Sequence, residues 1–162
     1  MTSRPEPPTT EATDAFWDAS RQRRYLVQWC TACDAAIFYP REACPTCLSA
    51  DSLTWKESSG QGAVYAVSVQ HRPAHPTLAD RVPYAVALVE IDAGDGTHTV
   101  RVLSNVVNCD PLSVGVGDPV TLTWEALSDG RNLPLFEPVA GTGSRPHGRD
   151  AGARRSEEPA DA

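Results

Sequence analysis

Cys30-Thr-Ala-Cys33 and Cys44-Pro-Thr-Cys47 form two C-x-x-C pairs with ten residues between them. Pairs so spaced bring four thiolates to one point, the ligand set of a tetrahedral structural zinc site. Four protein thiolates leave no open coordination position, so such a site holds a fold together and does not readily activate water. Iron also suits four thiolates and is the alternative ion. Disulfides would need an oxidising compartment, and Met1-Thr-Ser-Arg-Pro-Glu-Pro-Pro8 has no apolar signal-peptide core. A redox C-x-x-C normally stands alone beside a βαβ pattern, and none follows here. The residue after each pair sits in a turn that favours positive φ, where glycine is common. Asp34 tolerates that conformation, but Leu48 does so poorly, which predicts a distorted second knuckle.

The other reactive side chains form no comparable constellation. His71-Arg-Pro-Ala-His75 spaces two histidines four apart, but on a proline-broken loop and without a third ligand. His98 is expected on a strand face beside a turn, facing solvent. Cys109 lies in an apolar run and reads as a small buried hydrophobe. No phosphate-binding glycine loop and no nucleophile elbow is present, and no base has an orienting partner. No catalytic residue is therefore assigned to this chain.

The elements that carry the cysteines follow from composition and period. The 162 residues allow one domain, or one domain plus a small module. Their apolar fraction of 41% supports a core, while the apolar runs are too short to span a membrane. Net charge is −7, and residues 60–138 hold four basic and nine acidic groups. Nucleic-acid affinity rests on Lys and Arg neutralising phosphates, so this balance argues against such a partner. Reduced-looking cysteines and the absence of a targeting segment set the cytoplasm as the expected compartment.

The expected fold is mainly β: an N-terminal helix, a rubredoxin-like four-cysteine zinc ribbon, a small OB-type barrel and disordered tails. Residues 1–12, rich in Pro, Thr and Glu, are expected to be disordered. A helix is predicted over 13–25, with Thr13 as N-cap, Asp14 and Asp18 early, and Arg21, Arg23 and Arg24 late along the dipole. Its apolar face is Ala12, Phe16 and Ala19, with Trp17 beside it. That face is too small for a lone helix, so it docks on this chain or on a partner. The ribbon spans 26–57 and lacks a sufficient core of its own, a deficit that bound zinc can supply. Ser58-Ser-Gly-Gln-Gly62 reads as a flexible Gly-rich joint. Residues 63–139 carry short alternating strands separated by Gly/Asp turns, the pattern of a small Greek-key barrel of the OB type. Residues 140–162 are expected to be a disordered tail.

Several junction motifs make this order of elements specific. They are Phe16-Trp17, Phe38-Tyr-Pro-Arg41, Gly60-Gln-Gly-Ala-Val-Tyr65, Pro83-Tyr-Ala-Val-Ala-Leu-Val-Glu90, Gly115-Val-Gly-Asp-Pro-Val120 and Leu133-Pro-Leu-Phe-Glu-Pro138. With the two cysteine pairs, they resemble the zinc-ribbon/OB-fold proteins known as domain-of-unknown-function family 35, over roughly residues 13–138. The departures are Asp34, Leu48 and a longer polar turn at Ala93–Thr97. The resemblance implies a thiolase-fold partner acting on acyl-CoA thioesters, either a thiolase or a lipid-transfer-protein-like aldolase of steroid side-chain cleavage. It implies an accessory subunit in a hetero-oligomer with that enzyme's dimer, helping to pass the CoA ester, with catalysis on the large subunit. If CoA passes over this chain, the groups available for its phosphates are Arg21, Arg23, Arg24, Arg41 and Arg72. Phe16, Trp17, Phe38, Tyr39 and Phe136 are the aromatic candidates for the interface, with ordinary core as the alternative for each. Two other readings stay open: an independent acyl-CoA-binding or thioesterase/hydratase-like protein, and a single-strand nucleic-acid module, which the acidic barrel disfavours.

Overall fold

The computed structural model describes residues 5–139. The expected tail at 140–162 lies outside them, as do residues 1–4. Helix α1 runs Glu11–Ser20 and starts earlier than expected, inside the stretch read as disordered. Thr10, extended at φ −139, is the N-cap. Thr13 sits in the first turn, where its Oγ1 accepts the Thr10 N–H at 2.9 Å. A reciprocal threonine pair satisfies an otherwise orphaned backbone donor, and of the two threonines it is the first that caps. The helix also stops short of Arg24. Arg23 takes φ 58, and the Arg24 N–H turns back to the Ala19 carbonyl at 3.1 Å. The arginines therefore lie beyond the helix rather than in its last turn. Phe16, Ala19 and Ser20 form the buried face. This face docks within the chain, where Asn132 Nδ2 donates to the Ser20 carbonyl at 2.8 Å.

The ribbon is a three-stranded antiparallel sheet of β1 (Leu26–Cys30), β2 (Ala35–Ile37) and β3 (Leu53–Glu57), with β1 central. Tyr25, Val27 and Trp29 alternate along β1 and its entry, and all three are buried in the main core. This period of two presents one face of the ribbon to the barrel.

The barrel comprises β4 (Gln61–Gln70), β5 (Tyr84–Asp92), β6 (Thr99–Val106), β7 (Pro119–Ala126) and β8 (Asn132–Pro138). It closes in the order β4-β5-β6-β8-β7, with β7 pairing back to β4 and a parallel contact between β6 and β8. That is the connectivity of a five-stranded OB-type Greek key. Ala85, Ala87, Val89 and Ile91 alternate into the interior along β5. Gly62 stands where β4 crosses β5, and a Cβ there would drive into the Glu90 carbonyl.

The segment 58–62 is not a loose joint. Ser58 Oγ donates to the Asp92 carbonyl at 2.5 Å, and the Ser59 N–H donates to Asp92 Oδ2 at 3.1 Å. Gln61 and Gly62 already belong to β4. The polar β5–β6 turn folds back over the ribbon. Gly94, at φ +94, lies so close to β3 that a Cβ would come within 2.6 Å of the Glu57 carbonyl. His98 is exposed, as expected, and its ring also meets Trp29 edge-on at 5.1 Å. Lys56 Nζ covers the Trp29 ring at 3.3 Å and reaches Asp95 at 4.0 Å. Trp29 and Lys56 belong to the ribbon and Asp95 and His98 to the β5–β6 turn, and only the docking of ribbon on barrel brings them together.

This junction should weaken in acid. Asp95 accepts the His98 N–H at 2.8 Å and pairs with His98 Nδ1 at 2.7 Å, which holds its carboxyl far below the usual range. Burial pushes Asp92 up, but N–H groups from Ser59, Gly96 and Gly94 outweigh it and leave the carboxyl lowered. Both groups bind protons more weakly folded than unfolded. Their contribution is therefore complete above the ordinary carboxyl range near ~4 and is lost as pH falls towards the depressed values. Thermal unfolding followed from about pH 6 to about pH 2 should show a falling Tm, with a shallower fall in Asp95→Asn. Identical profiles for the two proteins would count against a role for Asp95 in holding this junction.

Candidate metal centre and the groove beside it

The first cysteine pair closes the turn between β1 and β2, with Cys30 as the last residue of β1. The second pair lies in the loop before β3. Leu48 keeps the regular turn at φ 59, its N–H bonded to the Cys44 carbonyl at 2.9 Å. The expected distortion is absent, and Leu48 instead sits in the left-handed region with its side chain 78% exposed. A non-glycine residue there costs about 1–2 kcal/mol, partly offset by the greater chain entropy of unfolded glycine. Leu48→Gly should accordingly stabilise the metal-loaded chain by up to ~1 kcal/mol, read as a higher Tm. A lower Tm would show that the leucine side chain contributes packing that outweighs its backbone strain.

The four Sγ atoms lie within 4.8 Å of one another. Cys30 and Cys47 are 3.7 Å apart, and Cys33 and Cys44 are 3.9 Å apart. A tetrahedron with Zn–S bonds of about 2.3 Å has sulfur–sulfur edges of about 3.8 Å, so the donors fit a zinc ion. The N–H groups of Cys47 and Thr46 pull the Cys44 thiol down to about 6, the direction a thiolate ligand needs. Cys33 is pushed up to about 12, chiefly by its hydrogen bond with Cys47 and then by burial. Zinc here would be fully ligated by protein and would supply cohesion rather than reactivity. Among the described residues, these cysteines form the one grouping of three or more potential metal ligands.

The remaining candidates fall elsewhere. His75 caps the 3-10 turn Pro76–Arg81 by accepting the Thr77 N–H, and His71 is exposed. Cys109 is half-buried, and burial followed by the Asp110 and Asp118 charges pushes its thiol up, away from nucleophilic use. Arg21 donates to the Asp129 carbonyl at 2.7 Å, and Arg24 pairs with Glu57 at 2.8 Å. Arg23, Arg41 and Arg72 are exposed on three different segments. Phe136 is fully buried in the main core, packed with the inward-facing barrel residues. It is core and leaves the interface set.

The other four aromatics converge. Phe16, Trp17, Phe38 and Tyr39 line one apolar groove of about 330 Å³ between α1, residues 38–40, β6 and β8. Phe16 is buried, Trp17 and Phe38 are half-buried, and Tyr39 is 56% exposed. Tyr25 also lines this groove, and sequence reasoning did not single it out. The alternation Tyr25, Val27, Trp29 was the signal that could have placed it on the buried face.

Comparison with known proteins agrees with this geometry. The ChsH2 rubredoxin-like zinc ribbon domain matches residues 17–53, and the ChsH2 C-terminal OB-fold domain matches residues 55–125. A probable enoyl-CoA hydratase alpha subunit of Thermomonospora curvata is 39% identical over 133 residues. The match covers 82% of this chain but only 39% of that protein's length. A DUF35 domain-containing scaffold protein of Methanothermobacter thermautotrophicus is 33% identical over 100 residues, covering 62% of this chain and 71% of the relative. Among solved structures, a chain of the Ltp2-ChsH2(DUF35) aldolase superimposes with a TM-score of 0.71 at 34% identity. That match covers 82% of this chain and 98% of the other. With its four-thiolate ribbon docked on a closed five-stranded barrel, the chain belongs to the ChsH2-type zinc-ribbon/OB-fold family, DUF35.

Proposed function

We propose that this chain is a non-catalytic accessory subunit that docks on a thiolase-fold enzyme, an aldolase or thiolase, and supports its handling of a CoA thioester. The observation that carries this reading is the correspondence with 98% of a chain in the Ltp2-ChsH2(DUF35) aldolase. The four-thiolate site supports it, because its donors are used in holding the ribbon. The match covers 39% of the length of the hydratase relative. Arg23, Arg41 and Arg72 are the exposed cations that could meet CoA phosphates. Tyr39 and Leu48, large exposed apolar residues on the ribbon, are proposed as partner contacts. No described helix is long and apolar enough to cross a membrane, and thiolate ligands suit the reducing cytoplasm.

The test is co-expression with a lipid-transfer-protein-like aldolase, followed by size exclusion with light scattering. Co-elution as a stable hetero-oligomer, with aldolase turnover raised by this chain, is the expected result. Separate elution at micromolar concentration, or CoA-ester turnover by the isolated chain, would overturn the proposal.

A further inference from the structure

The apolar groove does not end at its own walls. Leu103, 59% exposed on one wall, pairs across β6 and β5 with Leu88, and Leu88 pairs across β5 and β4 with Ala66. Directly opposed residues carry their side chains on the same face of a sheet, so these three form a stripe across the outside of the barrel. Ala85, Ala87, Val89 and Ile91 fill the inside of β5, which leaves Val86 on the outer face beside Leu88. The solvent face of an antiparallel sheet is ordinarily polar. Here its middle is apolar, and it runs into a groove whose opposite rim carries the exposed Tyr39. The charges bordering the stripe are already matched. Arg101 Nε donates to Glu90 at 3.0 Å, and its guanidinium covers the Tyr65 ring at 3.6 Å.

An apolar centre with a polar rim is the anatomy of a protein–protein interface. No Lys, Arg, His, Asp or Glu lines the groove, so the phosphates of CoA or of a nucleic acid meet no cation there. Ser104 Oγ donates to the Pro134 carbonyl at 2.9 Å and Asn105 Nδ2 to the Ala85 carbonyl at 3.0 Å, so these wall donors are engaged within the chain. A net charge of −7 disfavours an anionic lipid surface. The exposed Leu112 and Val116 stand on the β6–β7 loop between Asp110 and Asp118 and line no part of the groove. We infer that groove and stripe together are the face that docks on the thiolase-fold enzyme, which seats apolar side chains in the groove. The volume of about 330 Å³ takes roughly two or three large ones at interior packing density. This inference rests on the accessory role proposed above, which supplies the partner.

The test co-expresses the full zinc-loaded chain with a lipid-transfer-protein-like aldolase and reads dissociation of the purified complex on dilution by mass photometry. Leu103→Arg puts a charge where groove and stripe join and should weaken the complex about 30-fold or more, the loss of a hot-spot contact. Ala66→Arg, at the exposed far end of the stripe, should weaken it about ten-fold. Leu112→Arg, off this face, should stay within about two-fold of the parent chain. All three positions are exposed, so zinc content and Tm should match the parent. A complex that forms with the parent but resists Leu103→Arg or Ala66→Arg would overturn the docking face and leave the accessory role standing. Equal weakening by Leu112→Arg would do the same. No complex with the parent would overturn the role and the face together. A dimer of the isolated chain that Leu103→Arg dissociates would give the face to a second copy and overturn the inference.

Discussion

Replacing Cys44 by serine should strip the chain of stoichiometric zinc and unfold the ribbon. Cys44 is buried, and its sulfur receives the Thr46 N–H at 3.4 Å. A serine hydroxyl keeps the size but offers no thiolate. Structural zinc contributes on the order of 10–16 kcal/mol of coupled binding and folding, more than the whole stability of a typical domain. Losing one ligand of four therefore removes the ribbon's main source of cohesion. The separate ribbon cluster, Cys30, Ile37 and Cys44 with Cys33 and Leu53 against it, is too small to hold alone. Metal analysis should fall from one zinc per chain to near zero. Far-ultraviolet dichroism should retain barrel strands while ribbon amides lose exchange protection. A zinc-free Cys44→Ser protein with an unchanged Tm would contradict the structural role of the site.

Trp29→Ala is the second large effect, expected to cost about 3–5 kcal/mol. Trp29 is 2% exposed and belongs to the core shared by helix, ribbon and barrel. Its ring lies under Lys56 Nζ and against the edge of His98. Removing it empties a large volume and costs Lys56 its cation–π contact. The substitution spares all four thiolates, so zinc content should hold while the ribbon separates from the barrel. Denaturant unfolding should split into two transitions where the parent shows one. Trp29→Phe should recover part of the loss. A single unshifted transition in Trp29→Ala would mean that the two modules do not depend on each other.

What could be read from the chain beforehand was whatever short-range spacing controls. Two C-x-x-C pairs specify a four-thiolate cluster because the knuckle geometry is local. Alternation along Tyr84–Asp92 specifies a half-buried strand because successive side chains point to opposite faces. The barrel followed from strands of this kind with Gly/Asp turns between them. What escaped was set by docking. Thr13 and Thr10 are equally good capping residues by type, and a hydrogen bond between them decides which one caps. Phe136 looks like any strand aromatic until the barrel closes and places it in the core. Ser58 carries a polar side chain whose natural reading is solvent, yet it is buried against the Asp92 carbonyl. The groove is the furthest from local rules, since its walls come from four elements scattered along the chain.

Phe38, Tyr39 and Pro40 lie in the span that links Cys33 to Cys44, so each end of the span is moored to a sulfur. Peroxide or a thiol-alkylating agent acting at the exposed Cys47 would begin by loosening the ion and end by unmooring those rings. Oxidative damage at the protein's surface would thus be transmitted to a cleft that contains no cysteine.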